Sequence, residues 1–268
     1  MSESLLSIKN LSVEFKTELG KVNALNEVSF DVPRNSITAV VGESGSGKSV
    51  TSNAILRLLP DTAQISGEII LNPQGEDPLN ITSLDERDPR MQNLRGGLVS
   101  MVFQEPMTAL SPVHRIGDQV AEAVLCHRDV SPEVAMAEAA TMLEQVGLTE
   151  VDKKIRMYPF EFSGGMRQRV VIAMALICKP DILIADEATT ALDTTVQAQI
   201  LDLLIDLQHE FNMAILFISH NLGVVSEIAD DVMVMYGGRI MEASPAPLLF
   251  DAPQHPYTQV LLSTLPNP

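Results

Sequence analysis

The stretch GESGSGKS, residues 42–49, constrains the fold of this chain more than any other. It follows an apolar run, Ile37–Val41, that predicts a buried strand, and it precedes a helical pattern over residues 48–59. Pro60 is expected to end that helix. The spacing is a full G-x4-G-K-[ST], in which glycines allow successive backbone N–H groups to turn inward around phosphates. A loop of this kind between strand and helix predicts an α/β chain that binds a nucleotide.

Each position of this segment, the Walker A loop (residues 42–49), has an expected role. Lys48 adds positive charge beside the β- and γ-phosphates, and the Ser49 hydroxyl is a candidate ligand of Mg²⁺. The predicted nucleotide-binding residues of the loop and of the first helical turn are Gly42, Glu43, Ser44, Gly45, Ser46, Gly47, Lys48, Ser49 and Val50.

Further polar residues follow other apolar runs that read as strands. ILIADE ends in Asp186 and Glu187, and carboxyl ends of strands are where ligands of open α/β sheets bind. Asp186 is the candidate that holds Mg²⁺, and Glu187 is placed to orient a water molecule and accept its proton. Gln104 follows LVSMVF and His220 follows AILFIS. Each of these strands could flank the Walker A strand, so each side chain could face the γ-phosphate.

FSGGMRQR, residues 162–169, indicates a second anion site. Ser163, Gly164 and Gly165 precede a long apolar helical run, and free backbone N–H groups at a helix start bind anions. This second turn contains no lysine, although the chain already has a phosphate-binding loop. The residues alone do not explain why one chain has two anion sites.

The remaining sequence divides by pattern. LLSIKNLSVEF and ALNEVSFDV alternate as half-exposed antiparallel strands, whereas residues 94–157 have helical periods. The clearest helix has Ser131 as N-cap, Pro132 at its first position and Gly147 just past its end. DILIADE and MAILFISH read as buried parallel strands on either side of a helix over residues 195–211. From Ser244 onward the chain is rich in proline and is expected to be weakly structured.

Composition narrows the class of function. The chain has 268 residues, 46% of them hydrophobic, and a formal net charge of −17. That charge repels nucleic acid and anionic lipid, so no nucleic-acid partner is expected, and a role at a membrane would require another protein to hold the chain there. The N-terminal residues do not resemble a signal peptide, and no apolar run reaches the roughly 20 residues that span a bilayer. These features predict a location in the cytoplasm.

Taken in order, the Walker A loop, Gln104, FSGGM, ADE, ALD and His220 resemble the ATP-binding-cassette (ABC) family, over nearly the whole of residues 6–262. The resemblance implies a P-loop NTPase core with a mixed sheet, an N-terminal antiparallel β subdomain and an inserted all-helical signature subdomain. We assign residues 5–93 and 160–243 to the core with its β subdomain, 94–159 to the helical subdomain and 244–268 to a C-terminal segment of one nucleotide-binding domain. ATP and Mg²⁺ are the implied ligands.

The resemblance also explains the second anion site. In this family two cassettes pair head to tail, and the residues matching Ser163, Gly164 and Gly165 cover the γ-phosphate held by the partner's Walker A loop. Asp193, in ALD, matches the loop that crosses to the partner.

Other family roles fall on single residues. They make Gln104 the sensor beside Mg²⁺ and His220 the switch on the γ-phosphate. They also make Phe15 the aromatic that stacks on adenine, although an aromatic on an edge strand is otherwise explained by packing.

Within the family, GESGSGKS, VFQEPMTAL, EFSGGMRQR and HPYT look like the ATPases of oligopeptide and dipeptide importers. That likeness implies ATP hydrolysis at the cytoplasmic face of the bacterial inner membrane. The implied partners are transmembrane permease subunits, a second ATPase that is a paralogue or a copy, and, indirectly, an external solute-binding protein. An importer of nickel or glutathione is the alternative cargo class, and a soluble cassette ATPase of DNA repair or translation is the alternative function. A P-loop nucleotide kinase leaves FSGGM and ALD unexplained.

The chain departs from the family pattern at several positions. Ala188 stands where proline usually follows the glutamate, so that turn is expected to be less rigid. Asn221 stands where aspartate usually follows the switch histidine. The sequence stops at Pro268, soon after HPYT. It is therefore either truncated, half of a tandem cassette or natively short.

Overall fold

The computed structural model describes residues 4–18, 20–85, 87–103, 109–188 and 193–263. The chain forms two compact units. Unit 1 comprises the residues up to Asp88 and those from Ala214 onward, and unit 2 comprises Pro89–Met213. The limits of the core and of the helical subdomain given above stay predictions.

The first part of unit 1 contains an antiparallel sheet and the Walker A strand. Its elements are β1 (Ser4–Thr17), β2 (Gly20–Pro33), β3 (Ile37–Val41), α1 (Lys48–Ile55), β4 (Ala63–Leu71), β5 (Leu79–Asn80) and a 3-10 turn (Ile81–Ser83). The antiparallel sheet has the order β2-β1-β4-β5, which confirms the predicted N-terminal β subdomain. The expectation that Phe15 lies on an edge strand is wrong: β1 is an interior strand, and Phe15 pairs with Val22 of β2 and with Ala63 of β4.

Helix α1 is shorter than its sequence pattern predicts. It ends at Ile55, and Arg57 adopts a left-handed backbone conformation with φ 54°. An L-residue in that conformation cannot continue a right-handed helix, so α1 ends before Pro60 is reached.

Unit 2 contains the predicted helical block together with two parallel strands. Its elements are α2 (Arg90–Leu94), β6 (Val99–Val102), α3 (Ile116–His127), α4 (Pro132–Gln145), α5 (Val151–Lys154), a 3-10 turn (Pro159–Glu161), α6 (Gly164–Leu176), β7 (Ile182–Asp186) and α7 (Thr194–Phe211). Helices α3, α4 and α6 pack against one another, and β6 runs parallel to β7. Ser131 caps α4 by accepting a hydrogen bond from the Val134 N–H, as predicted.

The chain then returns to unit 1 and completes a mixed sheet. The elements are β8 (Ala214–Ser219), α8 (Leu222–Ile228), β9 (Asp231–Tyr236), β10 (Arg239–Pro245), α9 (Ala246–Asp251) and α10 (Pro256–Ser263). Strand β3 is parallel to β8 on one side and to β9 on the other, and β10 is antiparallel to β9. All residues of β3 and β8 are buried, as their unbroken apolar runs require.

This arrangement corrects one expectation. The strand that precedes Gln104 is β6, and it does not flank the Walker A strand, because both edges of β3 are occupied by β8 and β9. The apolar run of β6 shows that it is buried but does not specify which strand it pairs with.

The expectation of a weakly structured segment after Ser244 is also wrong. Strand β10 extends to Pro245, and helices α9 and α10 follow it. Prolines lie at the beginnings of these helices, where a missing N–H costs nothing, rather than inside them. The proline content therefore marks helix starts.

In the part of the chain that the structure describes, no helix is both long and apolar enough to cross a bilayer.

Gly67 offers a test of the antiparallel sheet. Its φ is 93°, and a Cβ there would overlap the backbone of Lys9 and Asn10, where the β1–β4 register shifts. We expect Gly67→Ala to lower the free energy of unfolding by about 2–4 kcal/mol, measured by denaturant titration.

Gly75→Ala is the matched control, since Gly75 has φ 79° with open space around a Cβ. Gly75→Ala is expected to lower the free energy of unfolding only by the cost of holding alanine in a left-handed backbone conformation, about 1–2 kcal/mol. Equal losses in the two variants would show that the close approach of β1 and β4 at Gly67 is unimportant.

Candidate nucleotide-binding site

The Walker A loop is held between β9 and β2 through two of its glycines. Gly42 has φ 153°, and a Cβ on it would overlap the Met235 carbonyl oxygen at the end of β9. Gly47 has φ 109°, and a Cβ there would lie 2.6 Å from Leu25 Cδ2. Outside the loop, the Gly238 N–H donates to the Ser46 carbonyl over 2.9 Å. The loop shape is therefore imposed by its neighbours as well as by its own glycines.

The inner side of the loop has the properties of a phosphate site. Gly47 is the N-cap of α1, and no side chain among the described residues caps that helix start. The Ser46 hydroxyl is buried and has no hydrogen-bond partner within the described residues. Helix N-termini carry partial positive charge and donate N–H groups to anions. These donors fit the phosphates of a nucleotide.

Lys48 is buried within this loop. Only 6% of its surface is exposed, and its Nζ donates to the carbonyl oxygens of Gly42, over 2.7 Å, and Glu43, over 2.9 Å. A buried ammonium is costly unless it is hydrogen-bonded, and these carbonyls hold it beside the helix start. The charge thus lies where phosphate oxygens would bind.

His220 lies at the end of the strand next to the Walker A strand. Val41 of β3 pairs with Ser219 of β8, so Gly42 and His220 each follow their strand at the same level of the sheet. His220 is exposed, and Asn221 caps α8 by accepting from the Gly223 N–H over 3.0 Å. Asn221, at the position where the resemblance leads us to expect aspartate, thus performs the local task of a helix cap.

In unit 2, β7 presents the two predicted carboxylates. All five of its residues are buried, and Asp186 at its carboxyl end is only 4% exposed. Glu187 follows with φ 48°, an uncommon backbone conformation for a residue other than glycine. Such conformations cost about 1–3 kcal/mol and concentrate at functional sites. The strand therefore ends in a residue of uncommon backbone conformation, which the buried Ala188 follows.

The signature turn (residues 163–165) begins α6. The Ser163 hydroxyl accepts from the Met166 N–H over 3.3 Å, and both Ser163 and Gly164 are exposed. A Cβ on Gly164 would meet nothing within 4 Å, whereas one on Gly165 would lie 2.8 Å from Val196 in α7. Gly164 therefore leaves an open approach to the helix start, and Gly165 allows α6 and α7 to meet closely.

Asp193 lies at the start of α7. Its carboxylate accepts from the Val196 N–H over 3.0 Å, so it is the N-cap of that helix. The close contact of Gly165 with Val196 brings the starts of α6 and α7 together, so the structure places Asp193 and the signature turn in one region of unit 2.

Two further site residues stay predictions. Gln104 lies outside the described residues. Phe15 is half-buried in β1, and its assignment to adenine stays a prediction.

Sequence reasoning missed the residues that back the Walker A loop, namely Leu25, Met235 and Gly238. The GG pair after β9 was an available sign of a tight turn there, because both Gly237 and Gly238 have positive φ.

Comparison with known proteins identifies the class. Residues 25–190 match the family described as ABC transporter, a span that includes the Walker A loop, the signature turn and the Asp186–Glu187 pair. The chain belongs to this family. It is an ATP-binding cassette that hydrolyses ATP.

Several individual proteins are similar over nearly the whole chain. A dipeptide transport ATP-binding protein of Bacillus subtilis is 48% identical over 266 residues, which cover 99% of this chain and 78% of that protein. A glutathione import ATP-binding protein of Shigella dysenteriae is 46% identical over 266 residues, 98% of this chain and 42% of that protein. A solved dimeric ATP-binding cassette in a post-hydrolysis state, bound to ADP and Pi, aligns with a TM-score of 0.76. It is 26% identical, with coverage of 90% of this chain and 98% of that one.

Glu187→Gln tests the assignment of the catalytic base. Glutamine keeps the size of the side chain but cannot take a proton from water, so ATP binding should persist while hydrolysis slows by roughly 10²–10⁴-fold. Phosphate release from purified protein measures the rate, and binding of a fluorescent ATP analogue measures affinity. An unchanged turnover rate would show that another group acts as the base.

Proposed function

We propose that this chain is the ATP-hydrolysing subunit that powers a membrane importer of peptides or peptide-like compounds. The observation that carries the proposal is the 48% identity, over 99% of the chain, with a protein named for dipeptide transport. The ordered Walker A loop, with its buried lysine and uncapped helix start, supports the ATP-binding half of this proposal.

In this proposal Glu187 orients the attacking water and accepts its proton, and His220 contacts the γ-phosphate. Phe15 stacks on adenine. Its half-buried ring in an interior strand is compatible with that role, because one face can stay accessible.

Ser49, Asp186 and Gln104 are the proposed ligands of Mg²⁺, Asp186 through water. Hydroxyl, carboxylate and amide oxygens are the donors that Mg²⁺ accepts in proteins, so the residue types fit the ion. When bound, Mg²⁺ would neutralise charge that develops on the phosphates.

We further propose that the signature turn completes the nucleotide site of a second cassette, in a head-to-tail pair. Ser163 and Gly164 are exposed, and nothing occupies the space in front of Gly164. The backbone N–H groups of a helix start there suit a γ-phosphate but lack a lysine to hold a nucleotide alone. The structural relative described above is a dimer of cassettes. The second cassette would be a paralogue or another copy of this chain.

Mixing two inactive variants tests the shared site. Lys48→Ala disables the chain's own phosphate loop, and Ser163→Arg blocks the surface offered to a partner. Neither variant alone can form a complete site, but a mixed dimer contains one, so ATP-dependent dimerisation should return on mixing. Analytical ultracentrifugation with ATP measures this.

Wild-type protein that dimerises with ATP is the required control for that mixture. If the wild type dimerises and the mixture stays monomeric, the signature turn does not serve a neighbouring chain.

The proposed permease partner would bind unit 2, where apolar side chains are exposed. Val113 is 73% exposed and lies in a turn that the buried Gln119 holds in place. The side-chain amide of Gln119 accepts from the Ser111 N–H and donates to the carbonyls of Ser111 and His114. Phe160 is 66% exposed and stacks on Tyr158 with ring centroids 5.6 Å apart. We take this turn, which presents an exposed apolar side chain, as the docking point of the permease segment. Contact with the permease would hold the chain at the cytoplasmic face of the membrane.

Peptide uptake tests the proposed function. A strain that lacks this gene should regain uptake of a labelled dipeptide when the wild-type gene is restored, and Lys48→Ala should not restore it. Val113→Asp should lose most uptake while the purified protein keeps its ATPase rate, because the charge disrupts docking only. Val134→Asp, at a 45% exposed valine in the first turn of α4, is the matched control and should transport normally.

The same assay separates the cargo classes. Uptake of labelled glutathione without dipeptide uptake would favour the glutathione importer, an alternative that the 46% identity to a glutathione import protein supports. If deletion of the gene reduced neither dipeptide uptake nor glutathione uptake, the chain would not power an importer of either cargo.

A further inference from the structure

Gln168, in the second turn of α6, has a buried amide that makes no hydrogen bond to any residue that the structure describes. Its side chain is 0% exposed, and within the described part of the chain both Nε2 and Oε1 lack a partner. An amide has two donors and an acceptor, and almost all such groups are paired when they are removed from water. An unpaired buried amide destabilises the arrangement that holds it, so this one requires an explanation.

The other buried glutamines among the described residues are paired. Gln119 is 6% exposed, and its amide bonds to the turn that carries Val113. Gln208, in α7, is 3% exposed and donates to the Met213 carbonyl over 2.9 Å. Each of these amides satisfies backbone groups of a neighbouring turn and so supports the local fold. Gln168 differs from both.

Gln168 lies on the side of α6 that meets α7. It is three residues after Gly165, and residues i and i+3 lie on the same side of a helix. A Cβ on Gly165 would lie 2.8 Å from Val196, so this side of α6 runs close to α7. Helical side chains lean toward the N-terminus of their helix, so the Gln168 side chain extends toward the signature turn.

The junction of α6 and α7 carries the groups that we propose to face a second cassette. Ser163 caps the start of α6 and Asp193 caps the start of α7, and the close contact at Gly165 holds the two starts together. An anion at the signature turn would bind to backbone N–H groups of α6. Binding there would therefore act on the same helix that carries the unpaired amide.

We propose that Gln168 is a positioning residue of the signature turn, and that its amide gains hydrogen bonds when two copies of this chain pair around ATP. This inference rests on the head-to-tail pairing proposed above. In the single chain the unpaired amide disfavours the position of α6. In the pair, contact of the signature turn with the γ-phosphate selects a position of α6 in which the amide is paired. Gln168 thereby favours the paired state over the single chain.

Gln168→Met tests this role in the purified full chain, because methionine is unbranched, of similar size and without a group that must be paired. Without ATP its thermal midpoint should rise by about 2–4 °C, since the cost of the unpaired amide is removed. ATP-dependent dimerisation, measured by analytical ultracentrifugation, should weaken by about 5–30-fold, because the bonds gained in the pair are lost. A side chain that only stabilises the fold would change both quantities in the same direction.

Gln208→Met is the matched control. It removes the hydrogen-bond donor of the Met213 carbonyl at a buried site, so the thermal midpoint should fall. ATP-dependent dimerisation of the folded Gln208→Met protein should stay unchanged, because this amide lies far along α7 from the signature turn.

A thermal midpoint that falls in Gln168→Met as it does in Gln208→Met would show that the Gln168 amide is already paired in the single chain, and the proposal would be wrong. A wild type that stays monomeric with ATP would contradict the pairing of two copies, and this role with it. If the wild type pairs and Gln168→Met pairs equally well, the pairing stands and only the role of Gln168 is refuted.

Discussion

The close approach of the Walker A loop to the end of β9 is the contact on which the nucleotide site depends. At Gly42 the backbone of the loop lies directly against the Met235 carbonyl, with no space for a side chain. Strand β9 pairs in parallel with β3, so the sheet that carries the loop also supplies the wall behind it. Any residue larger than glycine would push the loop away from that wall and move Lys48 with it. The shape of the Walker A loop is thus set by the packing of sheet backbone.

Each of the two units carries groups of a different chemistry. Unit 1 supplies N–H donors, a buried ammonium and an exposed histidine, all suited to holding a charged phosphate chain. Unit 2 supplies the carboxylates at the end of β7 and the exposed turn at Ser163. The strained backbone at Glu187 costs free energy, which the buried strand β7 can sustain because its side chains are all packed.

Motifs with a defined spacing could be read from the sequence, and features set by long-range packing could not. The Walker A loop, the N-cap at Ser131 and the parallel strand β7 lie where the sequence predicts them, because local chemistry determines each. The expectation that β6 could flank β3 is wrong, since an apolar run shows that a strand is buried but not which strand it pairs with. The proline content near the C-terminus predicts weak structure, but Pro256 begins a helix. The sequence places Tyr257 only within a family motif, because the packing of its ring on Tyr236 joins residues that the sequence pattern does not connect.

The cap at Asn221 has an electrostatic consequence. A capping aspartate would bring a full negative charge to the residue after His220, at a strand end adjacent to that of the Walker A strand. The asparagine amide accepts the same N–H bonds without a formal charge. The formal net charge of the chain is −17, so an uncharged cap avoids one further carboxylate that would repel an incoming nucleotide. It also makes the cap independent of pH, because an amide does not ionise. Asparagine at this position therefore keeps the local geometry of a helix cap and makes the electrostatic potential near His220 less negative than aspartate would.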